Sequence, residues 1–193
     1  DGVLIACVDF TDPSVAELLK SDIPIVTIDY KQPGKSCIVS DNTEGMYKLT
    51  EYLIRHGHRK IAFIHGEKKL GVTERRLEGF YRALAEAGIS APEEYVREGN
   101  YHNSGLCGQE TRKLMELPDP PTAIMFPDDF SSIGGLNQLE QMGLRVGEDV
   151  SVTGYDGLGF AGILRPALTT YRQNMEGMGK NAIRKLIAKI ENP

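Results

Sequence analysis

The chain has 193 residues, 40% of them apolar and 25% charged, with a formal net charge of −5. No apolar run approaches the length of a membrane span, and no basic stripe or Arg/Lys cluster is present, which excludes a chain that grips a phosphate backbone by itself. The three cysteines, Cys7, Cys37 and Cys107, lie far apart without C-x-x-C spacing. That usage fits reduced thiols in a cytosolic protein rather than a disulfide framework. Asp1 and Gly2 lead straight into a strand, so the chain reads as a piece of a longer one.

Val3–Val8 is a continuous apolar run, the pattern of a strand buried on both faces. Thr11-Asp12-Pro13 then supplies a cap residue and a proline at a first helical position. Val15, Leu18 and Leu19 give that helix its stripe. Pro24–Asp29 is the next strand and Cys37–Ser40 a short one. Asp41-x-x-Glu44 resembles a capping box and opens a helix through about His56, with Met46, Leu49 and Leu53 on its apolar face and Gly57 as its stop. Lys60–His65 is a strand, and a polar loop leads from it to a helix from about Glu74 to Ala87. Tyr95–Tyr101 is a weaker strand, Ser104–Glu116 a helix, and Thr122–Pro127 a strand. Ile133, Leu136 and Leu139 mark a helix that ends at Gly143. Val150–Tyr155 and Leu168–Arg172 are strands, and Met175 to Ile190 carries the clearest helical stripe. Strands that alternate with helices over short connections predict a parallel, doubly wound α/β sheet.

Such sheets bind ligands at the carboxyl ends of their strands. The residues found there are Asp9, Asp29 with Tyr30, Asp41 with Asn42, His65 with Gly66, Tyr101 with His102, Asp128 with Asp129, and Asp156. An aspartate after a strand is also the usual helix cap, and capping is the expected role for Asp9, Asp29 and Asp41. Asp156 is different, because the Gly-Leu-Gly after it starts a helix poorly. Of Asp128 and Asp129, one is expected to cap the next helix and the other to bond a neighbour or a ligand. His56 and His58 read as helix-end and turn contacts.

The phosphate loop G-x-x-x-x-G-K-[ST], the G-x-G-x-x-G turn and the G-x-S-x-G elbow are all missing. No cofactor is implied. A rival reading is an α/β enzyme using Asp128, Asp129 and His65, but no nucleophile–base pair is evident among them. Arg76 precedes the core residue Leu77 and can reach over the strand ends. An arginine facing Asp156 would form a polar clamp for a hydroxylated or carboxylated ligand.

Four segments together resemble one family: DNTEGMYKLTEYLIRHGHRKIAFIHG, RRLEGFYRALAEAGI, PTAIMFPDDFSSIGGLNQLEQMGLRVGEDVSVTGYDG and RPALTTYRQNMEGMGKNAIRKL. They are similar, in the same order, to the effector-binding core of LacI-type transcriptional regulators. The resemblance implies two periplasmic-binding-protein-like lobes with a small effector in the crevice between them. Residues 1–40 and 166–193 would form an incomplete N-terminal lobe, and residues 41–165 the C-terminal lobe. It assigns effector contacts to Asp156 and Arg76, places Tyr101 where an aromatic often stacks on the ligand, and fits Asp129 to the family's N-D pair; Asp128 and Asp41 are candidate ligand contacts beside them. The family's Asn before Asp129 is Asp128 here, a departure that bears on ligand class. Gly147 stands where the family has proline. The glycines around Asp156 are expected to leave a ligand's approach open.

The expectation is therefore a cytoplasmic, non-enzymatic regulator core that binds a sugar, sugar phosphate or purine and acts as a homodimer. Operator DNA would be contacted only through an N-terminal headpiece outside this chain. A periplasmic solute-binding protein for a sugar shares the lobes and is the alternative.

Overall fold

The computed structural model describes residues 1–6 and 12–191, in two units: Asp1–Ser40 with Asn174–Pro193, and Asp41–Gln173. The apolar residues Cys7 and Val8 and the post-strand Asp9 fall outside the described residues.

The smaller unit is a parallel sheet of β1 (Val3–Ile5), β2 (Ile25–Ile28) and β3 (Ser36–Ile38), in that order, with helices α1 (Pro13–Lys20) and α6 (Met175–Glu191). Successive side chains of a strand point to opposite faces. Ile25 packs with Ile5 and Leu19 of α1, whereas Val26 packs with Ala182 and Leu186 of α6. One helix thus covers each face. The α1 N-terminus is closed by Asp12, whose carboxylate accepts from Ser14 N–H at 2.8 Å, with Pro13 at the first helical position.

The larger unit holds β4 (Ile61–His65), β5 (Val96–Glu98), β6 (Ala123–Met125), β7 (Ser151–Asp156) and β8 (Thr169–Arg172), all parallel, in the order β5-β4-β6-β7-β8. Its helices are α2 (Asn42–Arg55), α3 (Gly71–Glu86), α4 (Ser104–Met115) and α5 (Asp129–Gln141). The period of two decides which helix covers which face. Ile61 and Phe63 bury against Met46 and Leu53 of α2 and Phe80 and Leu84 of α3. Ala62 and Ile64 bury against Cys107 and Leu114 of α4 and Leu139 of α5. Each fully buried Leu, Ile or Phe stabilises the fold by about 1.5–3 kcal/mol. The chain leaves β4 toward β5 and returns to β6 on the other side of β4. That reversal is the switch point at which such sheets open a ligand crevice.

Several expected boundaries move. The weak strand is only Val96–Glu98, preceded by a 3₁₀ turn at Glu93–Tyr95. The third helix begins at Gly71, within the expected loop. The largest shift concerns the division between units. Thr169–Arg172 was expected to belong with the N-terminal lobe, but it pairs in register with Thr153–Asp156. A parallel edge strand satisfies its backbone groups only against that neighbour, so the larger unit extends to Gln173 rather than Arg165.

Candidate functional site

The carboxyl ends of the larger unit's strands gather most of its buried charge. Helix α3 turns Thr73, Arg76, Phe80, Ala83 and Leu84 inward, the i, i+3, i+4 stripe of an amphipathic helix. One of those inward positions is an arginine. Arg76 is 3% exposed, and its Nε donates to Asn42 Oδ1 at 2.9 Å. Its Nη1 donates to the Pro127 carbonyl, just beyond β6. Its guanidinium lies 3.7 Å from the Tyr155 ring centre and 5.6 Å from that of Tyr101. These contacts hold the group at the switch point, with Nη2 turned toward Asp156.

Asp156 ends β7 with a backbone φ of 114°, a conformation that costs a non-glycine residue of order 1–3 kcal/mol. Its carbonyl accepts from Gln173 N–H at 3.1 Å, and its Oδ1 accepts from Gln173 Nε2 at 2.5 Å. Arg76 Nη2 is 3.7 Å from Oδ1, outside hydrogen-bond length, with side-chain exposures of 4% and 14%. Burial pushes the Asp156 carboxyl up to about 6, against the opposing pull of Arg76 and Gln173. The guanidinium and carboxylate thus present a donor and an acceptor side by side to a group that can both accept and donate.

The adjacent aspartates divide their labour as the sequence suggests. Asp128 caps α5, its Oδ1 accepting from Ser131 N–H at 2.6 Å and its Oδ2 from His102 N–H at 2.8 Å. Asp129 accepts from Thr170 Oγ1 at 2.5 Å and from Leu158 N–H at 2.7 Å. Burial also raises its carboxyl. Tyr101 lies over Gly66, its hydroxyl 2.9 Å from Thr73 Oγ1. Burial raises its phenol. Asp41 caps α2 through Glu44 N–H at 3.1 Å and is exposed, and no bond joins it to the Arg76–Asp156 pair. Arg76, Asp156, Tyr101, Asp128 and Asp129 are therefore gathered at one end of the sheet, and Asp41 serves its helix.

The glycines do not act as expected. A side chain at Gly154 would strike Asp129 Oδ1 and come within 2.9 Å of Leu168 Cδ2. At Gly157 the φ is 75°, and a Cβ would lie 2.6 Å from Arg172 Cα. Both are required by the protein's own packing, and of this group only Gly159 faces open space. His65 is fully buried, with Nδ1 bonded to the Gly66 carbonyl at 2.5 Å and Nε2 without a partner. Burial lowers its pKa. His56 bonds the Tyr52 carbonyl and His58 the Thr122 hydroxyl, as turn and helix-end contacts. Among the described residues no group of three or more His, Cys, Asp or Glu side chains could hold a metal ion.

Sequence reasoning misses Asn42, Tyr155 and Gln173 as partners of the pair. Asn42 is visible as a post-strand polar residue, but nothing local says that it receives Arg76. Gln173 follows β8, and applying the strand-end rule to that last strand would have found it. Tyr155 reads as one more apolar strand residue.

Residues 50–193 match the family described as periplasmic binding protein-like domain. Among curated proteins, the HTH-type transcriptional repressor PurR of Vibrio vulnificus is 36% identical over 196 residues, which is 100% of this chain and 58% of that protein. The chain thus spans 58% of the length of the curated relatives it matches first. Among solved structures, a LacI family transcriptional regulator from Mycobacterium smegmatis superposes with a TM-score of 0.91 at 31% identity, covering 100% of this chain and 71% of that one. A transcriptional regulator CelR–cellobiose complex superposes at 0.87 with 31% identity, covering 99% of this chain and 59% of the other.

Proposed function

Because this chain belongs to the LacI family of transcriptional regulators, we propose that it is the effector-binding core of such a regulator, with a small metabolite seated on Arg76 and Asp156. The observation that carries the reading is the pair itself. A carboxylate raised to about 6 lowers stability at neutral pH, and the aspartate also sits in a strained backbone conformation. Proteins tolerate such costs chiefly at functional sites. Tyr101, Asp128 and Asp129 shape the wall around the pair.

The effector belongs to the polar metabolites with hydroxyl or ring-nitrogen edges, sugars and purines. The cellobiose bound by one structural neighbour supports the sugar members of this class. The regulator works in the cytoplasm as a homodimer, without catalysis, and meets operator DNA through a segment outside this chain. No helix among the described residues is long and apolar enough to cross a membrane. A ligand changes operator affinity only by its differential affinity for the two functional states, and 1–3 kcal/mol of coupling gives roughly 5–150-fold. The relatives are transcriptional repressors, which favours this reading over solute carriage.

The test is thermal-shift screening of the intact regulator against neutral sugars, purine bases and sugar phosphates, followed by calorimetry on the best binder. Asp156→Ala and Arg76→Lys should each weaken that binder at least tenfold. Unchanged affinity in both variants, with the fold retained, discards the site.

A further inference from the structure

Gln173, the last residue of the larger unit, is joined to Asp156 at two points. Its main-chain N–H donates to the Asp156 carbonyl at 3.1 Å, one residue beyond the register pair Asp156–Arg172. Its side-chain Nε2 donates to Asp156 Oδ1 at 2.5 Å. Arg76 Nη2 approaches the same oxygen, at 3.7 Å. Among the described residues no hydrogen bond reaches Oδ2. Both partners therefore draw on Oδ1 and leave Oδ2 open. The terminal torsion of an aspartate is broad, so without a directed bond its two oxygens would exchange places readily.

The amide is held one way round despite a penalty. Its Oε1 is buried and has no partner, and a buried acceptor without a bond is unfavourable. The reverse orientation would set Oε1 against a carboxylate oxygen, two acceptors with no proton between them. The ionised carboxylate thus dictates which way the amide faces, and the amide in turn favours the ionised carboxylate. Burial raises the Asp156 carboxyl to about 6, Arg76 and Gln173 act against that, and Asp128 and Asp129 add to it. The charged groups around Asp156 are Arg76 from α3, Asp128 and Asp129 at the start of α5, with His102 3.9 Å from Asp128, and Arg172 in β8. Of the side chains near Oδ1, only Gln173 lies within hydrogen-bond length.

On the reading that Arg76 and Asp156 hold the effector, we propose that Gln173 is the positioning residue of that site: its paired bonds fix Oδ1 of Asp156, so that the carboxylate stays charged and turns Oδ2 to the incoming ligand. Gln173 acts through Asp156 and need not touch the ligand itself.

The experiment titrates Asp156 in the intact regulator, with the proton as probe, by carbon NMR of aspartate labelled at its carboxyl carbon. The resonance lost in Asp156→Asn assigns the signal. The wild-type midpoint should lie near 6. In Gln173→Leu the proton should bind roughly tenfold more tightly, because a hydrogen bond to a charged group is lost. Gln173→Asn keeps the main-chain bond but is one methylene too short to reach Oδ1, so it should move the midpoint the same way and serves if the leucine variant does not fold. A role confined to stability would lower the melting temperature and leave the midpoint in place. Calorimetry then uses the compound of the sugar, purine and sugar-phosphate panel that raises the melting temperature most. Its affinity for Gln173→Leu should be about tenfold weaker at pH 7, and less weakened at pH 8.5, where the carboxyl is ionised again. An unchanged midpoint in a folded variant overturns the proposal. So does a moved midpoint with unchanged affinity, where Asp156→Asn does weaken the same compound. Failure of the site assignment looks different: the midpoint moves, yet neither Asp156→Asn nor Gln173→Leu alters affinity, and the proposal falls with the site.

Discussion

The two ends of the larger unit's sheet make opposite use of the same residue types. At the amino ends, Lys60 and Asp119 form an ion pair at 2.6 Å with side chains 43% and 76% exposed. At the carboxyl ends, Arg76 and Asp156 stand farther apart, at 3.7 Å, yet their side chains are only 4% and 14% exposed. The closer pair is the less consequential one, because water screens it and its long side chains lose entropy in holding one geometry. The looser pair is held in a poorly solvated place with its hydrogen bonds directed elsewhere. What distinguishes the two ends is the environment of the charges, and the carboxyl end is where a parallel sheet with a switch point places its ligands.

The sharpest way to break that contrast is Arg76→Ala. Removing one partner from a buried pair leaves the other uncompensated, so this variant should lose about 3–5 kcal/mol of stability, measured by urea unfolding. A loss no larger than that of a surface substitution would mean that the end is better solvated than its burial indicates.

Asp156→Asn should act in the other direction, because the guanidinium it leaves behind keeps its bonds to Asn42 and the Pro127 carbonyl and its place against the Tyr155 and Tyr101 rings. A carboxyl whose folded pKa is raised from 3.8 to about 6 binds more protons folded than unfolded between those values, so stability falls as pH rises through that window. Asparagine should then stabilise the protein near pH 7.5 by up to about 3 kcal/mol and make no difference near pH 3.5. Denaturation of both proteins at the two pH values checks the sign. Effector affinity in the wild type should fall as pH drops through about 6, where the carboxylate gains its proton. Titration calorimetry across that range would show it, and a flat profile would separate Asp156 from the ligand.

Gly154→Ala should cost about 1–3 kcal/mol, because the new methyl collides with Asp129 and Leu168 in a filled site. Smallest of all is Lys60→Ala, which should leave effector affinity unchanged and move the melting temperature little. A change in effector affinity from that remote end would contradict the difference between the two ends of the sheet.

Much of this site could be read before the structure, for physical reasons that differ by residue. The meeting of Arg76 and Asp156 was legible because its rules are local: an arginine just before the core residue Leu77 near a helix start, and an aspartate after a strand with no helix to cap. The split between Asp128 and Asp129 followed from capping alone. Asn42, Tyr155 and Gln173 were not legible as partners, because their contacts cross between elements distant in sequence. Gly154 and Gly157 misled for a related reason. A glycine beside a functional residue suggests access, but here the missing side chains make room for Asp129 and the Arg172 backbone. The boundary between units was misplaced because β8 resembles any short strand until its partner is known. Its register beside β7 assigns it to the larger unit.

That boundary gives the Arg76–Asp156 pair a particular attachment. The polypeptide enters the larger unit at Asp41 and leaves it at Gln173. Arg76 is tethered to Asn42, one residue inside the entrance, and Asp156 to Gln173, the residue at the exit. A group that engages the guanidinium and the carboxylate together therefore bonds two side chains, one anchored beside the residue where the backbone enters the larger unit and the other at the residue where it leaves.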